Sequence, residues 1–157
     1  METPLAISNY FVNKANSLSA ELTPMKLLKL VYLSHGWYLG LNNGEALIPE
    51  FAQAWEYGPV VQSVYDNFKN YKQNQITSLK QDGNGNYPMV SDAEMVKFLN
   101  RIWEVYGGYS GTQLSTLTHE KGSPWDVIWH QKGGKTGYGV VIPNPLITEY
   151  YKNKAGI

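Results

Sequence analysis

Apolar positions recur along most of this chain at the spacings of a helix, and one stretch breaks the pattern. After Pro4 no glycine or proline intervenes before Leu18, and Ile7, Tyr10, Phe11 and Ala15 keep to one face, which predicts a first helix. Thr23-Pro24 is a helix start, a hydroxyl cap followed by proline at the first helical position, where its missing N–H costs nothing. From there Leu27, Leu30, Val31, Ser34 and Tyr38 form one stripe, while Leu28, Tyr32 and Leu39 lie opposite. A helix apolar on two sides is buried on both, so this segment is the predicted centre of the fold. Asn42-Asn43-Gly44 ends it.

The period changes from Glu45 to Tyr57. Pro49 prevents a clean helix, and Phe51, Gln53, Trp55 and Tyr57 alternate with Ala52, Ala54 and Glu56, as in an extended segment or short strand. Gly58-Pro59 then restarts a helix with Val61, Val64, Tyr65, Phe68 and Tyr71 on its apolar face. The polar run from Lys72 to Asn86 reads as a mobile loop or hairpin. Ser91 and Glu94 have capping-box spacing and open a helix with Met95, Phe98, Leu99, Ile102 and Tyr106 inward, stopped by Gly107-Gly108. Two short helices follow, one near 111–119 with Leu114 and Leu117 inward, one at 124–130 carrying Trp125, Ile128 and Trp129. A glycine-rich loop, 132–139, leads into a small strand at 138–142, and Asn144-Pro145 caps a closing helix with Leu146, Ile147, Tyr150 and Tyr151. The sum is a mainly α, compact single-domain bundle of six or seven helices with a small β element. It spans residues 4–152, with 153–157 as a short tail, and shows no internal repeat.

Composition narrows the function. A chain of 157 residues can bury roughly 70% of its unfolded surface, so a conventional core needs no staples. The absence of cysteine excludes disulfides, Cys-ligated zinc, iron–sulfur clusters and thiol nucleophiles. Thirteen basic side chains balance thirteen acidic ones, and only Arg101 is an arginine. That counts against nucleic acid as a partner, because phosphate binding draws on a basic excess. No apolar run reaches the ~18 residues of a membrane span, and the N-terminus lacks the charged start of a signal peptide. A cytoplasmic protein is expected. The aromatic content, 13%, exceeds what one small core requires. Tyr71, Tyr109, Tyr138 and Tyr151 fall at element ends or in loops and are the expected exposed ones.

Catalytic patterns fail one by one. Gly134-Lys135-Thr136 ends like a P-loop, but Trp129 stands where the first glycine belongs and Gly137-Tyr138-Gly139 follows instead of a helix. His35, His119 and His130 form no helical metal pair. His35 reads as a hydrogen-bonded core residue, and His119 as either a local cap or a site residue. Gly108–Thr112 lacks the last glycine of a hydrolase elbow. Glu56, between Trp55 and Tyr57, has no visible partner acid, so an interface or structural role outweighs acid catalysis. No catalytic residue, metal or cofactor is predicted; a small-ligand site or enzyme around Glu56 and His119 remains the minor alternative.

Two corners stand out, Trp55-Glu56-Tyr57-Gly58-Pro59-Val60 and Thr118-His119-Glu120-Lys121-Gly122-Ser123-Pro124-Trp125. Together with Leu27-Leu28-Lys29-Leu30-Val31-Tyr32, His35-Gly36-Trp37, Tyr65, Tyr109-Ser110, Leu114, Leu117 and the closing Ile147–Tyr151, their order resembles the Panacea domain. That family is also called the SocA-like antitoxin domain and occurs in phage-associated proteins. The resemblance runs from about residue 7 to 152. It implies an antitoxin, encoded beside a cognate toxin and neutralising it by direct protein–protein contact, without enzymatic activity or cofactor. It also implies an alternative, since at least one member acts as a proteolytic adaptor that delivers its toxin to an ATP-dependent host protease. The family-motif residues that become candidates for interaction are His35, Trp37, Trp55, Glu56, Tyr57, Gly58, Pro59, Tyr109, His119 and Trp125. An autorepressing DNA-binding module has no room here, in keeping with the neutral charge.

Overall fold

In the computed structural model, which describes residues 1–157, helix α2 (Pro24–Leu41) runs through the middle. Leu27, Leu30, Val31 and Leu39 have no exposed surface, and neither do Lys29, Ser34 and His35. The Thr23 hydroxyl accepts from the Lys26 amide at its start. Around α2 pack α1 (Pro4–Leu18), α3 (Gln62–Phe68), α4 (Ala93–Tyr106), α5 (Gly111–Thr118) and α7 (Asn144–Ala155). Helix α6 (Pro124–Gln131) lies against a three-stranded antiparallel sheet of β1 (Ala52–Trp55), β2 (Gly58–Val60) and β3 (Val140–Ile142), in the order β2-β1-β3. The seven helices and small sheet match the expected architecture. No helix is long and apolar enough to cross a membrane.

The alternation in β1 has its small residues inward. Ala52 and Ala54 are buried, while Gln53 and Trp55 are half-exposed and Phe51 beyond the strand is exposed. Gln53 pairs with both Val60 and Val141, which makes β1 the central strand. Gly58-Pro59 does not restart a helix as expected. It forms β2, and α3 waits until Gln62. Proline suits an edge strand because it has no N–H to donate, and Gly58 supplies the positive φ of +117° with which the chain re-enters the sheet.

Other local expectations shift by a residue or more. Asp92, not Ser91, caps α4, its carboxylate accepting from the Glu94 amide at 3.2 Å. A full capping box forms instead at Ser110 and Gln113, 2.8 and 3.1 Å across its two bonds. Asn144 does not cap α7, which begins after Pro143 without a side-chain cap and runs on through Ala155, so only Gly156 and Ile157 trail it. The 72–90 run has no helix or strand, yet it is strapped to α1. The buried Asn9 amide donates to Lys80 O and Pro88 O at 3.0 and 2.9 Å and accepts from Lys80 N at 2.9 Å. Ile76 in the same strap is fully buried.

Tyr151, expected outside, is inside. It fills the space left by Gly36 and Gly40 on α2, where a Cβ on Gly40 would lie 2.6 Å from the Tyr151 Cβ. Tyr71 is half-buried, and Tyr109 and Tyr138 are exposed. Because the Gly40 contact involves Tyr151 backbone as well as side chain, the intruding methyl cannot be accommodated by a rotamer change. Gly40→Ala should therefore destabilise the fold by about 1–3 kcal/mol, read as a lowered urea midpoint at unchanged m-value. An unaltered midpoint would refute this docking of α7.

Candidate functional site

The two corners singled out in the sequence meet. The hairpin from β1 to β2 turns at Glu56 and Tyr57, and its backbone carbonyls are captured by side chains from three helices. Trp125 Nε1 on α6 donates to Trp55 O at 2.6 Å. Ser115 Oγ on α5 donates to Tyr57 O at 2.6 Å. Lys29 Nζ on α2 donates to Pro59 O at 3.0 Å. His119, the C-cap of α5, faces carbonyls with both ring nitrogens: Nδ1 lies 2.6 Å from Ser115 O and Nε2 3.2 Å from Glu56 O. These two contacts fix the orientation of the ring.

Each holder is itself fixed by sequence. Ser115 and His119 are one helical turn apart and share a face. Ser123 caps α6 by accepting from Asp126 N at 3.2 Å, which sets Trp125 beneath the hairpin. The Trp125 indole stacks on Trp129 at 5.5 Å and meets the His119 ring edge-on at 4.2 Å. Trp55 rests edge-on against Tyr65, 4.9 Å between centroids, and donates to Gln53 Oε1 at 2.9 Å. Lys29 forms no ion pair, and burial pulls its pKa down to about 7. A Cβ on Gly58 would stand 2.9 Å from Lys29 Nζ and 3.4 Å from His119 Cε1, so glycine is required there for space as well as for φ.

The structure thus brings together Trp55, Glu56, Tyr57, Gly58, Pro59, His119 and Trp125. It leaves His35, Trp37 and Tyr109 elsewhere. Trp37 Nε1 donates to Tyr106 Oη at 2.8 Å and its ring lies on Tyr151, 5.0 Å between centroids. An apolar groove of about 260 Å³ between α2 and α4 includes Trp37, Leu41, Phe98 and Val105, away from the hairpin. Tyr109 is exposed after α4. His35 is buried as expected but not hydrogen-bonded. Neither ring nitrogen has a partner within bonding distance, and the same holds for Asn144 Oδ1. Burial pulls the His35 pKa down to about 4. Lys29 and Ser115 were not singled out in the sequence as site residues. The signal for Lys29 was a lysine inside a helix apolar on both sides; Ser115 carried none.

The chemistry left to the site is small. His119 is committed to backbone, and the Glu56 carboxylate is exposed and not bonded to it. No group of three His, Asp or Glu side chains converges as a metal ligand set. The Gly134, Lys135 and Gly137 amides donate back to Ile128 O, Trp129 O and Gly133 O at 2.9, 2.9 and 2.7 Å. They are turned away from any phosphate.

The signature described as "Antitoxin SocA-like, Panacea domain" matches residues 27–126, and the chain belongs to that family. It is 31% identical over 153 residues to Antitoxin SocA of Caulobacter vibrioides (strain NA1000 / CB15N), covering 94% of this chain and 81% of that protein. No solved structure matches the chain.

Two measurements follow from these contacts. Trp125→Phe removes both the N–H bonded to Trp55 O and part of the buried indole, which should cost about 2–4 kcal/mol, read by chemical denaturation; a stability equal to wild type would refute the role of Trp125 as a holder of the hairpin. His35 is neutral in the fold but titrates near 6.5 when unfolded, so the unfolded state binds the extra proton first. Its contribution is intact above pH ~6.5 and is lost as pH falls toward about 4, a swing of about 3 kcal/mol. His35→Leu should flatten the stability profile over that window, and an identical slope in the variant would refute the assignment.

Proposed function

We propose that this protein is the antitoxin of a toxin–antitoxin pair and neutralises its toxin by direct binding, without enzymatic activity. Family membership is the observation that carries the reading. The geometry supports it. Lys29, His119 and Trp125 of the family motif, with Ser115 beside them, have their polar groups on backbone carbonyls, as suits a scaffold for recognition. Exposed tyrosines at Tyr57, Tyr109 and Tyr138 are the residue type that anchors protein interfaces.

The test is co-expression with the neighbouring gene. Its product should arrest growth alone, and this protein should restore growth and co-purify with it in a stable complex. Rescue without a complex, lost when the host's ATP-dependent protease is deleted, would replace direct inhibition by the adaptor mechanism. A harmless neighbour would overturn the reading.

A further inference from the structure

We infer that the hairpin tip, Glu56–Tyr57, is the element that docks on the toxin, with Tyr57 seated in a hollow of the partner and Glu56 paired to a lysine or arginine beside it. This rests on the antitoxin reading and names the surface that performs it.

The tip combines two properties. Its side chains are free: Tyr57 is 65% exposed, and the exposed Glu56 forms no ion pair within this chain. Its backbone is not free at all. Within the five residues 55–59, the carbonyls of Trp55, Glu56, Tyr57 and Pro59 are all held by side chains from α2, α5 and α6. These bonds stabilise the fold, and they also fix where the exposed turn stands. A partner meeting this tip has no loop to order, which removes a main cost of association. Among the other exposed tyrosines, Tyr138 lies between Gly137 and Gly139, and Tyr87 sits on the 72–90 strap, where Asn9 alone holds the neighbouring Pro88 O.

The occupant follows from charge and shape. A phenol ring beside an uncompensated carboxylate is complementary to an apolar hollow rimmed by a cation. Nucleic acid is disfavoured at the same spot, because a carboxylate leads the approach to phosphate.

Binding of the purified product of the neighbouring gene is measured for wild type, Tyr57→Ala, Glu56→Lys and Tyr87→Ala, with the melting temperature of each. All four should melt alike, since these side chains are exposed. Tyr57→Ala should weaken binding by at least about thirtyfold, the scale of an interface hot spot. Glu56→Lys should slow association and abolish or reverse the loss of affinity with added salt. Tyr87→Ala should bind as wild type does. Wild-type affinity in both tip variants would overturn the inference while leaving the antitoxin reading intact. Loss in Tyr87→Ala alone would move the docking surface to the strap and overturn it too. Failure of the wild-type protein to bind its neighbour would remove direct inhibition, and this inference with it.

Discussion

A helix buried on every side leaves its lysines no route to water, and the rest of the molecule is arranged around that constraint. Lys26 and Lys29 lie one turn apart on α2, and neither pairs with a carboxylate. Each ends on a backbone carbonyl instead: Lys26 Nζ on Gly107 O at 2.6 Å, beside the Trp103 ring, and Lys29 Nζ on Pro59 O. A buried amine without an acceptor is costly, so the end of α4 and the start of β2 must stand where those amines reach. The helix that forms the core thereby also places the hairpin.

The hairpin then inherits a second set of restraints from α5 and α6. Short helices are marginal on their own, and these two are defined by caps at Ser110 and Ser123. Between them they deliver Ser115, His119 and Trp125 to three carbonyls of one turn. The histidine that invites a catalytic reading in sequence is better understood as a spacer between two backbone carbonyls. His35, the other histidine of the motif, contributes apolar volume between α2 and α7, and burial holds it neutral.

Much of this architecture could be read from the chain because apolar periodicity and proline placement are local signals. The α2 stripe, the Thr23-Pro24 start and the β1 alternation all survive in the structure. What failed was set by pairings that local periodicity does not show. Gly58-Pro59 looks like a helix start until Trp55 is seen paired with Gly58 across the turn. Tyr151 looks like a surface residue until Gly36 and Gly40 open a slot for it, and the polar 72–90 run looks loose until Asn9 is found to hold it. At the site, the aromatic corners were visible, but their meeting was not, and Ser115 is indistinguishable in sequence from any helical serine.

The slot on α2 has a consequence for how the protein comes into being. Tyr151 follows Gly40 by 111 residues (151 − 40), so the central helix keeps one flank uncovered until nearly the whole chain has left the ribosome. At ordinary elongation rates that interval is on the order of ten seconds. During it the nascent chain exposes an apolar surface that the finished molecule hides. A chain halted before α7 lacks the Tyr151 that fills this slot and leaves that face of α2 to water.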